Sequence, residues 1–140
     1  MNSTQTGHSD TTTDGIRVRV AAEFDEAHSA PDSGQWGYRY RVVLSNEGNR
    51  PARLVSRHWV IRDANNQAEV VEGDGVIGEQ PRLEPGNRHE YESFCPLQTS
   101  WGTMEGSYKM QWDDGAAFEV AIGRFFLAQT AAPISALDES

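Results

Sequence analysis

The chain carries a single cysteine, Cys95, in 140 residues, so no intrachain disulfide can form. Basic residues are scarce: 12 Lys and Arg stand against 21 Asp and Glu, for a net charge of −9. A surface of that sign repels phosphate, which argues against any non-specific hold on nucleic acid or anionic lipid. No apolar run approaches the ~20 residues that a membrane span needs. The N-terminus lacks the basic-then-apolar pattern of a signal peptide. A sustained 3.6-residue period and an internal repeat are missing too. With so little cysteine and no export pattern, a reducing cytosol is the expected location.

What is present is alternation. "IRVRVAAEF" puts Ile16, Val18, Val20, Ala22 and Phe24 on one face, the period-2 mark of a half-buried strand. "YRYRVVLSN", "ARLVSRHWVIRDA", "AEVVEG", "HEYESF", "SYKMQW" and "AAFEVAIGRFFL" continue the series. They are separated by breaker-rich turns such as "EGNRP", "NNQ", "EPGNR" and "DDG". The long strand around Trp59 carries apolar residues on both faces, so a central position covered on both sides is expected, with Trp59 as the core tryptophan. Seven or so short strands of this kind predict an all-β fold, an immunoglobulin- or fibronectin type III-like antiparallel β-sandwich, with a small barrel as the rival architecture. The polar, non-periodic residues 1–14 are expected to be a disordered leader, 15–128 the domain, and 129–140 a flexible tail.

One stretch raises a sharper question. "EGDGVIGEQP" contains Gly73, Gly75 and Gly78 in the G-x-G-x-x-G spacing of a dinucleotide site. That chemistry requires a helix to start at the last glycine, so that free N–H groups face the pyrophosphate. Here Glu79, Gln80 and Pro81 follow, and no helix can begin. Glu69, Glu72, Asp74 and Glu79 crowd the stretch with no Lys or Arg among them. Each would repel a phosphate by about 1 kcal/mol at 4 Å even in water. The reading favoured by the residues is an irregular crossing between sheets, with Arg57 or Arg82 as the cations a phosphate would need.

Other candidates are thinner. Neighbours on a strand point oppositely, so His58 and Trp59 of "SRHW" cannot serve one pocket. A metal site pairing His58 with His89 lacks the third and fourth ligands that zinc chemistry wants. Ser56 and His58 share a face without an orienting acid, so no catalytic residue is assigned. Cys95 has no basic neighbour to lower its pKa. Glu90 and Glu92 read as a solvated face. Trp101 and Met104 in "QTSWGTMEG" form either an apolar interaction patch or a lid over the core.

Joined together, "SRHWVIRDANNQAEVVEGDGVIGEQPRLEPG", "YESFCPL", "GTMEGSYKM" and "FEVAIGRFFL" resemble the ApaG (CorD) family over about Gly15 to Leu127. The resemblance implies a fibronectin-III-like sandwich and a small cytosolic bacterial protein linked to cobalt and magnesium resistance or efflux. Similar domains in a eukaryotic F-box protein and a polymerase-delta-interacting protein serve as protein-interaction modules. It implies no agreed enzymatic activity, and it places the family's suggested pyrophosphate site on Gly73, Gly75 and Gly78, with Arg57, His58 and Trp59 in the other signature stretch. The chain has Gly123 and Arg124 where family members tend to have a proline.

The expectation is therefore a non-enzymatic interaction module without a cofactor, tied to divalent-cation homeostasis and acting on a protein partner, a homodimer being one form. The alternative is a Mg²⁺-dependent pyrophosphate or nucleotide binder. Candidate ligand residues are Gly73, Gly75, Gly78, Arg57 and His58, and the candidate interaction surface is Trp101 with Met104. No metal ligand, nucleic acid or membrane insertion is assigned.

Overall fold

The computed structural model describes residues 7–129 together with Ile134 and Leu137. In chain order the strands are β1 (His8–Thr13), β2 (Ile16–Phe24), β3 (Trp36–Asn46), β4 (Ala52–Asp63), β5 (Ala68–Asp74), β6 (Arg82–Leu83), β7 (Arg88–Leu97), β8 (Gly102–Trp112) and β9 (Ala117–Leu127). One sheet runs β1-β2-β3-β7. The other runs β5-β4-β8-β9, with β6 also on β4. Every pairing is antiparallel, and the two inner faces enclose the core, as the alternation predicts.

The core centres on Trp59, 2% exposed, whose ring meets Tyr40, Tyr108 and Phe125 at centroid distances of 5.4, 6.3 and 6.0 Å. All three contacts are edge-on, the arrangement that aromatic quadrupoles favour. The double-sided apolar pattern of β4 has a cause other than burial on both faces. The register slips between Leu54 and Ser56. This bulge flips the parity, so Ala52 and Leu54 face inward before it and Trp59 after it. A second slip, opposite Met104 and Gly106, does the same for Ile122 and Phe125 of β9. Gly123 and Arg124 occupy that bulge.

Two boundaries differ from the sequence expectation. Residues 8–13 do not form a leader. They are strand β1, in register with β2 from His8↔Ala21 to Thr13↔Ile16. The segment shows no hydrophobic period because its side chains lie along the sandwich's side, against β9. There Thr11 Oγ1 donates to the Ala121 carbonyl (2.8 Å), and the Ala121 N–H donates to Thr13 Oγ1 (3.3 Å). At the other end, Ile134 and Leu137 are buried with Ala21 and Val43 on the outer face of the first sheet. The expected disorder of residues 1–6, and flexibility at 130–140 apart from those two positions, lie outside the described residues.

With β1 beside β9 on one side, β7 and β5 end the two sheets on the other. Among the described residues no strand pairs with their outer edges, which leaves main-chain groups open there.

Candidate functional site

The glycine stretch lies within one sheet. β5 and β6 both pair with β4, β5 along Ser56–Arg62 and β6 at Ala52 and Arg53. The stretch between them is therefore a break in a single edge strand and not the expected crossing between sheets. The cause is local: Val76 N–H donates to the Glu79 carbonyl and Glu79 N–H to that of Val76 (2.8 and 3.0 Å), closing a tight turn. Its central residues Ile77 and Gly78 have φ of +48° and +76°, as a type I′ turn requires. Gly78 faces open space. Val76 is fully buried and anchors the turn, while Ile77 projects 60% exposed from its tip. A β-branched residue at positive φ is strained.

Gly75 has no freedom to be anything else. Its φ is +61°, and a Cβ there would stand 2.2 Å from the Glu79 carbonyl oxygen. Its N–H donates to the Val55 carbonyl (2.8 Å). Arg57, facing inward, reaches the same turn: Nη1 donates to the carbonyls of Asp74 (3.1 Å) and Gly75 (2.9 Å). Its guanidinium lies over Gly73, where a Cβ would come within 2.7 Å of Nη2. The fold thus brings Arg57, Gly73 and Gly75 together. It also commits the arginine and the N–H groups of Gly75, Val76 and Glu79 to main-chain partners.

Behind Arg57 lies a tyrosine cluster. The hydroxyls of Tyr91 and Tyr108 hydrogen-bond each other. Burial pushes the pKa values of Tyr40, Tyr91 and Tyr108 up, and the nearby Arg57 charge partly opposes the shift.

His58 is not part of this group. It points to the outer face of its sheet, where Nδ1 lies 3.1 Å from Glu72 Oε2. It borders a shallow depression of about 530 Å³ shared with Ser107, Lys109, Phe118 and Glu119. Ser107 Oγ donates to Glu119 Oε1 (3.1 Å), so hydroxyl and imidazole each have a carboxylate partner and do not form a nucleophile–base pair. His89 lies in the opposite sheet, on β7, with its ring 6.4 Å from that of Tyr91. The two histidines cannot share an ion. Among the described residues no group of three His, Cys, Asp or Glu side chains is placed to hold one.

The Trp101–Met104 pair divides. Trp101 is 45% exposed, its ring 6.2 Å from that of Phe126. Met104 is not on the surface. β8 begins at Gly102, earlier than the sequence suggests, and Met104 pairs with Phe125 and is buried in the core.

A larger concavity opens where the sequence reading placed nothing. A cleft of about 560 Å³ runs between the ends of β3 and β7 on one sheet and β4 and β5 on the other. Trp36, Phe94, Asp63 and Glu69 are among its lining residues. Cys95 lies behind it, 2% exposed. Burial pushes the thiol up to about 12, and the negative charge of Glu69 adds to the shift. Phe94 carried a signal: it shares the outward face of β7 with Glu90 and Glu92, an aromatic on an otherwise acidic face. Arg41 pairs with that Glu90 at 2.6 Å.

A family model, ApaG domain, matches residues 26–112. Protein ApaG of Anaeromyxobacter dehalogenans (strain 2CP-C) is 50% identical over 113 residues, covering 81% of this chain and 89% of the relative. Protein ApaG of Stenotrophomonas maltophilia (strain K279a) is 49% identical with the same coverage. Among solved structures, a Bordetella pertussis protein described as ApaA superposes with a TM-score of 0.81 at 37% identity, covering 91% of this chain and 98% of that one.

Proposed function

Because the chain belongs to the ApaG family, we propose that it is a non-enzymatic binding module of the cytosol that works through protein contacts, and that its tie to cobalt and magnesium homeostasis runs through its partner. The observation that carries this reading is the placement of large apolar side chains at the surface. Val70, Ile77, Phe94 and Trp101 are 55%, 60%, 44% and 45% exposed. Val70 and Phe94 lie on the two unpaired edge strands, where a partner strand can add. Among the described residues no helix is long and apolar enough to cross a membrane. The partner is a different protein or a second copy of the chain.

The test is site-specific photocrosslinking in the parent cell from positions 70, 77 and 101. A discrete protein adduct from at least one of these supports the reading. If none forms from any position while the protein is present at normal levels, the reading falls.

A second reading keeps some support from the meeting of Arg57 with Gly73 and Gly75: a Mg²⁺-bridged pyrophosphate at this turn. It must displace the arginine from two carbonyls and meet Glu72, Asp74 and Glu79. Titration of a ¹H–¹⁵N spectrum with Co²⁺, Mg²⁺ and Mg²⁺–ATP separates the two. Saturable shifts confined to Gly73–Gly78, Arg57 and His58 would promote the ligand site, whereas weak changes spread over scattered carboxylates leave the turn structural.

A further inference from the structure

The cleft between β5 and β7 has a chemistry that its neighbours lack. Its lining includes two aromatic residues, Trp36 and Phe94, two carboxylates, Asp63 and Glu69, and His28, whose Nδ1 is taken by Asp25, but no lysine or arginine. Asp63 is occupied: its Oδ1 accepts the N–H groups of Asn65 and Gln67, both at 2.9 Å, and so holds the β4–β5 turn. Glu69 is not. The register Ile61↔Glu69 and Trp59↔Val71 places it on the inner face of β5, the face that carries Val71 into the core. It is close enough to the buried thiol of Cys95 to raise its pKa. Two other carboxylates on these strands have side-chain partners, Glu72 with His58 and Glu90 with Arg41. Among the described residues Glu69 forms no ion pair.

An inward-facing carboxylate at the mouth of an aromatic cleft lacks only a cation. A metal ion would want further ligands, and no set of three is assembled. A side chain that is flat, permanently charged and able to stack on rings meets the requirement better. Guanidinium does all three, whereas ammonium is a compact, strongly hydrated point charge. The unpaired edges of β5 and β7 flank the cleft and can hydrogen-bond the main chain on either side of such a residue. The net charge of −9 steers a cationic segment inward.

We propose that this cleft receives an arginine side chain from a partner protein, with Glu69 as its ion-pair partner and the ring of Trp36 as its inner wall, Phe94 standing at the rim from the outward face of β7. The proposal rests on the interaction-module reading and names the site and partner chemistry for it.

The test uses the full chain and three blocked tripeptides, acetyl-Val-Xaa-Val-amide with Arg, Gln or Glu in the centre, followed in ¹H–¹⁵N spectra. The arginine peptide is expected to give saturable shifts confined to residues 35–37, 68–69 and 94–98. The Gln peptide should bind about tenfold more weakly and the Glu peptide not measurably, as loss of a charge-assisted contact predicts. Glu69→Gln should weaken the arginine peptide by about the same factor. Glu84→Gln, an equal charge change at the far end of the chain's β6 turn, should not.

The rival role for an inward charge on an edge strand is to block edge-to-edge association. If Glu69→Gln leaves peptide binding unchanged and promotes self-association in sedimentation, Glu69 is only a guard and the proposal is overturned. Equal shifts from all three peptides overturn it as well. Adducts at position 70, 77 or 101 alongside either result would leave the protein-contact reading intact while removing this cleft from it.

Discussion

The glycine turn and the β5–β7 cleft both combine acidic side chains with an exposed apolar group, yet they differ in what their polar groups are doing. At the turn, Arg57 donates to two carbonyls and the N–H groups of Gly75, Val76 and Glu79 are all paired within the chain. At the cleft, Glu69 has no cation among the described residues and two strand edges stand open. A site whose hydrogen bonds are closed internally must break them to bind. One with an uncommitted charge beside apolar walls gains by binding. Conspicuous spacing in a sequence therefore need not mark the reactive part of a surface.

The comparison can be broken or sharpened by experiment, beginning with the largest effect. Behind both regions lie protonated groups held neutral by burial: Cys95 near the cleft, raised to about 12, Tyr38, also raised to about 12, and the tyrosine cluster near Arg57. An unfolded thiol ionises near 9 and an unfolded tyrosine near 10. Between those values and about 12 the folded chain keeps protons that the unfolded chain releases. Stability from these groups is complete below pH 9 and is lost as pH rises towards 12, by up to about 1.4 kcal/mol per pH unit for each group. Urea melts from pH 8 to 11.5 should show a steepening decline. A flat profile would mean that the interior is wetter than described.

Gly75→Ala comes next. The carbonyl clash and positive φ predict a loss of about 3 kcal/mol, while Gly78→Ala, with open space, should cost only about 1 kcal/mol. A Gly75→Ala protein of wild-type stability that had lost Mg²⁺–ATP affinity would reverse the roles of the two regions. Arg57→Ala removes two charge-assisted bonds to carbonyls and should cost about 2 kcal/mol in chemical denaturation without affecting the arginine peptide. Ile77→Asn relieves the strained turn tip and should raise stability by about 1 kcal/mol, readable as an increase in Tm. The smallest effect tests the link between cleft and thiol. Glu69→Gln removes one of the two causes of the high Cys95 pKa, so alkylation at pH 9 should quicken modestly while remaining far slower than in urea.

Much of the architecture was legible because strands announce themselves by period 2. Seven segments were visible in that way and all of them form strands. β1 was hidden, since its threonines and polar residues bond sideways to β9 and have no apolar face to display. β6 was hidden because two residues make no period. The double-sided pattern of β4 was visible but misattributed, because a bulge of one residue produces the same string as burial on both faces. In the candidate site, opposite placement of Arg57 and His58 followed from strand geometry. The burial of Met104 did not, since it depends on where β8 starts and which residue of β9 lies opposite.

The sequence by itself determined the all-β class, the family, the acidic surface and the failure of the dinucleotide reading, because these depend on periodicity, composition and the residues that follow Gly78. Tertiary structure alone decided that Arg57 closes over Gly73, that Met104 is core, and that Glu69, Trp36 and Phe94 meet at one cleft. These three come from three strands in two sheets, and no spacing along the chain encodes a distance across the gap between sheets.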